Sequence, residues 1–275
     1  MRKLPVILFA ALCIAGCSPE PVNAPEDQLV VEGWIEDGEA PVVYLTTSLA
    51  ISREPANLSS LKEHIVKWAK VTVSDGEEEV VLTGMASSRF YPPYAYTTGR
   101  MFGQAGKTYT ITVDYGEVHA TGQATIPPKR ALDNLVAVPQ NDAGDCLLNA
   151  TFTPQADECY GLFVKIEKAD STFLPAPLSF FESAVLGPSA TVAIRPGGSV
   201  VRSDSRVFFR SGETVDVKFR TMEKPIYSYW KAFGEQYGLA RVPVFSLDSN
   251  LPGNIDGALG YFAGYGSTVY SLTIP

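Results

Sequence analysis

The side chains of this 275-residue chain that could do chemistry are few. Any histidine-based metal site or catalytic triad would have to use its two histidines, His64 and His119. His119 lies in a stretch with strand-like alternation, so we expect it at an exposed strand position. No His-Glu-x-x-His motif, Gly-x-Ser-x-Gly motif or Gly-x-x-x-x-Gly-Lys-Ser/Thr loop occurs. We therefore predict no catalytic residue, and the one enzymatic alternative is a pair of carboxylates.

An acidic loop at residues 248–256 places oxygen ligands at alternate positions and a glycine at the sixth, as an EF-hand loop does. The match fails at two positions. Pro252 is the fifth residue, and Leu259 is the twelfth, where a bidentate glutamate would be needed. We predict a Pro/Gly/Asn loop that leads into the last strands, with no metal ligand and no cofactor.

Cys17 is the residue whose position indicates the most specific chemistry. Before it, residues 1–16 contain a basic start (Arg2, Lys3), an apolar stretch and the small Gly16, which is the anatomy of a signal peptide. The stretch is too short for a transmembrane helix, which needs about 20 residues. Residues 14–17, Ile-Ala-Gly-Cys, resemble the bacterial lipobox, in which the cysteine thiol takes a diacylglycerol before the leader is removed. We predict a mature protein anchored to a membrane through lipid on Cys17.

The mature chain is acidic. Loss of the leader removes two basic residues and leaves 20 basic and 30 acidic side chains, a net charge of −10. No basic stripe is present, and an acidic surface repels phosphate backbones, so we expect no nucleic-acid partner. Residues 17–27 contain three prolines and three acidic residues without apolar periodicity. They predict an extended tether of roughly 30 Å, at about 3.1 Å per residue.

After the tether, short strand-like runs alternate with turn residues. Strands are predicted at residues 28–36, 41–49, 68–74, 78–83, 93–99, 107–115 and 117–126. This pattern predicts an immunoglobulin-like antiparallel β-sandwich over residues 28–128, which ends at Pro127 and Pro128. Tyr109 follows a glycine turn at the start of the sixth strand, which is the position of a tyrosine corner. The alternative is a tyrosine that only packs.

Residues 129–275 predict a second β-rich domain with one short packed helix, so the fold class is mostly β. Strands are predicted at residues 146–153, 159–167, 189–194, 206–210, 213–221 and 267–274. A packed helix over residues 225–237 is predicted by the helical spacing of Ile226, Tyr229, Trp230, Phe233 and Tyr237.

Two local predictions depend on this assignment. A weaker helix is predicted at residues 60–68, with Leu61, Ile65 and Trp68 on its apolar face. The strands at residues 146–153 and 159–167 are predicted to form a hairpin. Cys146 and Cys159 would then lie roughly 20 Å apart, at about 3.3 Å per residue, whereas a disulfide needs Cα atoms within about 7 Å. Both thiols are therefore predicted to be free and buried.

The chain resembles a family of uncharacterised Bacteroidetes outer-membrane lipoproteins, a domain of unknown function commonly encoded beside a TonB-dependent receptor. The resemblance covers essentially all of the mature chain. It rests on LVVEGWI at residues 29–35, AKVTV at 69–73, GKTYTITV at 106–113 and NIDGALGYF at 254–262. Ala258 departs from the pattern, because a second glycine is expected there. The resemblance implies an outer-membrane location and a receptor partner, but no chemistry.

Two aromatic segments are candidates for a binding surface. Residues 89–96 contain Tyr91 and Tyr94 around two prolines, which favours an edge strand or a protruding loop. Residues 261–266 contain Tyr261 and Tyr265. Exposed tyrosines at these places could stack on sugars or contact a partner protein. The alternative is that the rings face the core.

The function that the residues and the resemblance favour is that of a non-enzymatic outer-membrane lipoprotein. It would act as an accessory or ligand-binding partner of a TonB-dependent receptor in nutrient uptake, with an unspecified ligand. The membrane contact would be the lipid on Cys17. The alternatives are a structural or adhesive cell-envelope β-sandwich protein and an enzyme with an acidic pair.

Overall fold

Alternating burial along β-strands organises the chain. The first strand buries Leu29, Val31 and Ile35 on one face, as the two-residue period of a strand requires. The computed structural model describes residues 28–48, 62–90, 92–197, 206–239 and 251–275. The described residues are mostly in β-strands and form a β-sandwich, as predicted. The leader, Cys17, the tether and Tyr91 lie outside the described residues.

The strands are β1 (Leu29–Glu36), β2 (Val42–Thr47), β3 (Lys70–Ser74), β4 (Glu79–Val81), β5 (Thr83–Ala86), β6 (Tyr94–Thr97), β7 (Thr108–Tyr115), β8 (Val118–Thr125), β9 (Asn134–Pro139), β10 (Cys146–Phe152), β11 (Cys159–Ile166), β12 (Leu174–Glu182), β13 (Ala190–Ile194), β14 (Thr214–Met222), β15 (Ile255–Asp256) and β16 (Leu259–Thr273). A 3₁₀ helix covers Ser183–Val185, and helix α1 covers Lys224–Leu239. Among the described residues, no helix is both long and apolar enough to cross a membrane.

Strand β16 joins the two halves of the molecule into one sheet. The eight-stranded sheet has the order β12-β11-β14-β16-β1-β2-β6-β5. The first part of β16 pairs in parallel with β1, from Val30 opposite Leu259 to Glu36 opposite Tyr265. The rest of β16 pairs antiparallel with β14. The predicted division at residue 128 therefore does not describe the sheet, because the chain returns at its end to complete the N-terminal half.

Two smaller sheets cover this sheet and enclose separate cores. The sheet β15-β8-β7-β3-β4 packs on its N-terminal part and forms what we term the first sandwich, while β13-β10-β9 packs on its C-terminal part and forms the second sandwich. The first core includes Val31, Val71, Ile111 and Phe262. The second core includes Leu148, Phe152, Val217 and Phe219. Phe262, from the predicted second domain, thus belongs to the first core.

A tyrosine corner is present in each sandwich. The Tyr109 hydroxyl accepts a hydrogen bond from the backbone N–H of Gln104 at 2.9 Å, so the tyrosine corner is the one of the two alternatives that the structure shows. The Tyr160 hydroxyl accepts one from the backbone N–H of Gln155 at 2.7 Å. Both bonds reach back five residues, and both rings are buried. The second corner was not predicted from the sequence.

The predicted hairpin of residues 146–153 and 159–167 is wrong. Strand β10 lies in the three-stranded sheet and β11 in the eight-stranded sheet, so the two face each other across the second core. Cys146 and Cys159 are nevertheless free and buried, as predicted. Burial, with the nearby charge of Glu182, raises the pKa of the Cys159 thiol to about 11.

Two further predictions fail at the level of single elements. The predicted helix at residues 60–68 is helical only at residues 62 and 63 of its described part, and Ile65 instead forms a β-bridge with Thr46. The predicted strand at residues 206–210 is reduced to one bridge between Phe209 and Cys146. Strands β9 and β12 were not predicted, because exposed residues and prolines weaken their strand pattern.

Candidate functional site

The outer face of the eight-stranded sheet, opposite the two cores, carries a cluster of buried polar and aromatic side chains. Strand β1 presents Glu32, Trp34 and Glu36 there, because its alternate residues fill the first core. Helix α1 covers part of this face: Trp230 stacks on Phe180 with ring centroids 5.4 Å apart. Polar groups on this face are therefore enclosed by aromatic rings.

Tyr261 and Tyr265 lie under this cover and are not an exposed binding surface. Their exposed fractions are 5% and 1%. Tyr261 packs on Tyr229 of α1 with ring centroids 4.4 Å apart, and the Tyr265 hydroxyl accepts a hydrogen bond from Trp230 Nε1 at 2.9 Å. The candidate binding surface at these two residues is therefore wrong and the alternative of buried rings is correct, because α1 covers the part of β16 that carries them.

A buried ionic cluster links the two sandwiches on this face. Glu36 of β1 forms salt bridges with Arg220 and Lys218 of β14, the latter at 3.1 Å, although β16 lies between these strands. The guanidinium of Arg220 also lies over the rings of Phe163 and Tyr265, at 4.3 and 4.2 Å from their centroids. Burial raises the pKa of Glu36, but the charges of Arg220 and Lys218 outweigh it and hold the pKa at about 2. Glu36 is therefore a carboxylate at neutral pH.

Glu32, four residues earlier on the same face, has the opposite environment. Its cross-strand neighbours are Tyr44 and Tyr261, and the Tyr229 hydroxyl donates a hydrogen bond to its carboxylate at 3.4 Å. Burial raises the pKa of Glu32, and the hydrogen bond from Tyr229 opposes this only in part. No ion pair to Glu32 occurs among the described residues. A carboxyl ringed by tyrosines can accept hydrogen bonds or attract a cationic ligand group.

The other candidate segment, residues 89–96, lies near aromatic side chains that differ in their exposure to solvent. Tyr94 is partly exposed, and its hydroxyl donates a hydrogen bond to the backbone carbonyl of Lys67 at 3.1 Å. Tyr96, beside it, is buried. Trp68 is 88% exposed, although the sequence placed it on the apolar face of a helix. Of the four proposed tyrosines, only Tyr94 therefore lies partly at the surface within the described residues.

Leu178, on edge strand β12, is the most exposed large apolar residue in the described chain, at 91%. Its backbone has a φ of 56°, in the left-handed region that disfavours a leucine. The pairing of β12 with β11 shifts register around it, from Gly161 opposite Phe180 to Phe163 opposite Pro175. A strained bulge therefore displays an apolar side chain at the edge of the shared sheet.

A family model connects this architecture to other sequences. The model of a domain of unknown function, DUF4249, matches residues 17–271. The chain belongs to the DUF4249 family. The match spans both sandwiches and ends two residues before the end of the shared strand β16. The family domain therefore comprises the whole joined sheet and not one half of it.

Comparisons with curated proteins and with solved structures do not indicate a function for this DUF4249 protein. No curated protein matches its sequence. One solved structure, described as "Cytokine receptor complex - Crystal form 1A", is similar over 90% of this chain and 96% of its own chain, at 11% identity and a TM-score of 0.22. A TM-score this low carries no argument about fold or function.

The remaining candidates for chemistry in the DUF4249 chain are surface groups. His119 is exposed on β8, as predicted, and its Nδ1 lies 2.7 Å from Asp114 Oδ1. Within the described segments, no three metal-ligating side chains come together. Sequence analysis missed Glu32, Glu36 and Arg220. The available signal was the pair of glutamates on the same face of β1, opposite the face that fills the core. If that second face is also covered, its charged side chains need partners.

Proposed function

We propose that this DUF4249 protein is a lipid-anchored, non-enzymatic protein of the outer membrane that serves as an accessory or ligand-binding partner of a TonB-dependent receptor in nutrient uptake. The observation that carries the proposal is the leader of residues 1–16 followed by Ile-Ala-Gly-Cys at residues 14–17. Two or more acyl chains on Cys17 would make attachment stable. The receptor as partner is supported by the family resemblance.

The contact with such a partner is best supplied by Leu178. An exposed leucine on a fixed edge strand adds apolar area to an interface at a small loss of entropy. Its left-handed backbone costs of order 1 to 3 kcal/mol, and strain of this kind clusters at functional positions. The prolines at positions 175 and 177 limit pairing of the edge strand with other chains, so side-chain contact fits the surface better than strand addition.

The Glu32 site is the candidate for a bound ligand. Glu32 as a residue is half-buried, and its carboxyl lies among the aromatic side chains of Tyr44, Tyr229 and Tyr261. These groups offer flat apolar surface together with one acceptor, a combination that suits small ligands with a cationic or hydroxyl group. The ligand-binding form of the proposed role would use this site.

Membrane attachment is tested with Cys17→Ala. The wild-type protein is expected to incorporate a labelled fatty acid and to fractionate with membranes, whereas the variant should do neither, because the thiol is the group that carries the lipid. Cys146→Ala is the matched control and should label like wild type, since Cys146 is buried. Labelling of the Cys17→Ala variant would overturn the proposal.

The receptor partnership is tested by detergent co-purification from native membranes. Leu178→Gly should reduce recovery of the receptor while leaving the fold at least as stable, because glycine adopts a positive φ without strain. Val81→Gly, at an exposed position on β4 of the first sandwich, is the control for loss of an apolar side chain. Recovery of the lipoprotein alone would refute the partnership and favour a structural or adhesive role.

A further inference from the structure

Trp68 is held at the surface by a fixed backbone. The Tyr96 hydroxyl donates to the carbonyl of Val66 at 3.0 Å and accepts from the N–H of Ala69 at 3.1 Å. The Tyr94 hydroxyl donates to the carbonyl of Lys67 at 3.1 Å. Both sides of Trp68 are therefore anchored to β6, while its indole points into solvent. A side chain displayed in this way loses little backbone entropy when it is buried by a binding partner.

This tryptophan lies at the end of the first sandwich where the chain enters the fold. Gln28 and Ser48 are joined by a backbone hydrogen bond of 2.7 Å, and the N–H of Thr47 donates to the carbonyl of His64 at 2.9 Å. Gln28 and His64 therefore lie on opposite sides of the end of β2, about two strand spacings apart. Trp68 follows His64 by four residues. Strand spacings of about 4.8 Å and about 3.3 Å per residue place Trp68 within roughly 25 Å of Gln28.

The segment of residues 62–70, which carries Trp68, is basic although the chain as a whole is acidic, and the nearby β7–β8 turn adds the acidic Glu117. Lys62, Lys67 and Lys70 are exposed in this segment, and Glu63 is its one acidic residue, whereas the whole chain has a net charge of −8. Lys70 has an acidic neighbour, Asp114, across the β3–β7 pair, and Asp114 itself bonds to His119. Lys62 and Lys67 have no ion pair among the described residues.

Further exposed apolar groups occur at the same end. Tyr115 and Val118 flank the turn between β7 and β8, and both are more than one third exposed. Since Lys70 pairs with Asp114, this turn lies at the end of the sheet where β3 begins, and Trp68 precedes Lys70 by two residues. Tryptophan and tyrosine beside lysine form the combination that settles at the boundary between membrane headgroups and hydrocarbon.

We propose that the end of the first sandwich that carries Trp68, Lys67 and Lys62 lies on the surface of an anionic bilayer, with the indole of Trp68 in the headgroup region. The inference rests on the lipid anchor of the proposed function for its geometry. Ten residues separate Cys17 from Gln28, so the lipid lies at most about 40 Å from Gln28 at about 3.6 Å per residue. Trp68 can therefore reach the membrane, and the second sandwich, with Leu178, extends away from it.

The test uses the mature chain without its lipid, from position 17 with Cys17→Ser, so that binding does not depend on acylation. Co-sedimentation is measured with vesicles of phosphatidylglycerol and phosphatidylethanolamine, and with vesicles of phosphatidylcholine. Binding to the anionic vesicles is expected, with a blue shift of tryptophan emission and a decrease at high salt. Trp68→Ala should lower the partition coefficient about tenfold or more and abolish the blue shift. Lys62→Glu with Lys67→Glu should weaken binding to anionic vesicles.

Val185→Ala, which removes an exposed apolar side chain from the 3₁₀ helix of the second sandwich, is the control and should bind as the parent does. Thermal unfolding of each variant shows whether the fold is kept. Absence of binding to anionic vesicles at low salt, or equal binding by Trp68→Ala, would overturn the inference. So would loss of receptor co-purification in Trp68→Ala without any vesicle binding, because the surface would then contact a protein. Since the vesicle assay needs no acylation, its outcome is independent of the Cys17→Ala experiment.

Discussion

The two sandwiches are built on the same plan but are stabilised differently at their common sheet. Each has a tyrosine corner that reaches back five residues, Tyr109 to Gln104 and Tyr160 to Gln155. On the outer face of the sheet the halves differ. Glu32, at the first sandwich, lies among tyrosines, whereas Glu36, four residues later, binds two cations of the second sandwich. One strand therefore carries two buried carboxyls whose pKa values shift in opposite directions.

This difference shows that the contact between the two sandwiches at Glu36 is ionic, whereas the neighbouring site at Glu32 has no ion pair among the described residues. The Glu36 cluster spans β16 and links β1 to β14, two strands that do not pair with each other. A buried ion pair adds little net stability when compared with an apolar replacement, but removal of one partner leaves an uncompensated charge. The cluster is therefore the place where a single substitution should do the most damage.

The largest effect is expected for Arg220→Met. It removes the main partner of Glu36 and leaves a buried carboxylate with Lys218 alone, which should lower the free energy of unfolding by about 3 to 5 kcal/mol. Urea unfolding measures it. Arg89→Met, at an exposed arginine, is the control for loss of a positive charge. The double variant Glu36→Gln with Arg220→Met should lose less than the sum of the single changes, and simple additivity would contradict the cluster.

The second effect is acid destabilisation through Glu36. Its folded pKa of about 2 is below the ordinary value of 4.5, so its ionised form stabilises the fold above pH 4.5. That contribution, of order 3 kcal/mol from the size of the shift, is lost as the pH falls from 4.5 towards 2. Urea midpoints measured between pH 7 and pH 2 should fall less steeply for Glu36→Gln than for the parent. Parallel curves would show that Glu36 does not contribute to this dependence.

A smaller effect compares the two tyrosine corners. Tyr109→Phe leaves the backbone N–H of Gln104 without its partner and should cost about 1 to 2 kcal/mol. Tyr160→Phe should cost at least as much, because the Tyr160 hydroxyl also donates to Glu158, which pairs with Arg130. Chemical denaturation of both variants gives the comparison. Tyr115→Phe, at a partly exposed tyrosine of β7, is the control, and a cost there equal to that of Tyr109→Phe would argue against the corner.

The seven strands predicted for residues 28–126 match β1 to β4 and β6 to β8 within about two residues, and alternating burial is clearest in β1, β7 and β8. Strand β5 and the first half of β16 were not predicted. The glycine turn before Tyr109 indicated a tyrosine corner as one of two alternatives, and Tyr160 lacks that signal. The joining of the halves could not be predicted in this way. Alternation shows that Tyr261 and Tyr265 share a face with each other, but not that β1 and β14 pair with the strand or that α1 covers it.

Trp68 and Leu178 show a second limit. Helical spacing placed Trp68 on a buried face, but the backbone there is held by the hydroxyls of Tyr94 and Tyr96, which lie about 30 residues later in the chain. Leu178 follows Pro177 in a bulge of β12. Its backbone has a left-handed φ, which the sequence pattern does not predict for a leucine. Long-range contacts determine both positions, and short-range patterns carry no information about them.

The smallest effect, and the one with the opposite sign, concerns Glu32. Burial raises its folded pKa above 4.5, so the ionised form is disfavoured in the fold, and stability from this group is lost as the pH rises through the shifted pKa. Glu32→Gln keeps the hydrogen-bonding shape without the charge and should therefore be slightly more stable than the parent at pH 7, with no difference below pH 4. Urea unfolding at the two pH values measures this.

Glu36→Gln is the paired control, because the same substitution four residues away should be destabilising at pH 7. If Glu32→Gln were also destabilising, the carboxylate would have a stabilising partner, and the contrast between the two carboxyls would fail. A carboxyl that is kept although its neutral replacement stabilises the fold is what a ligand-binding group requires, since functional sites retain residues at a cost in stability.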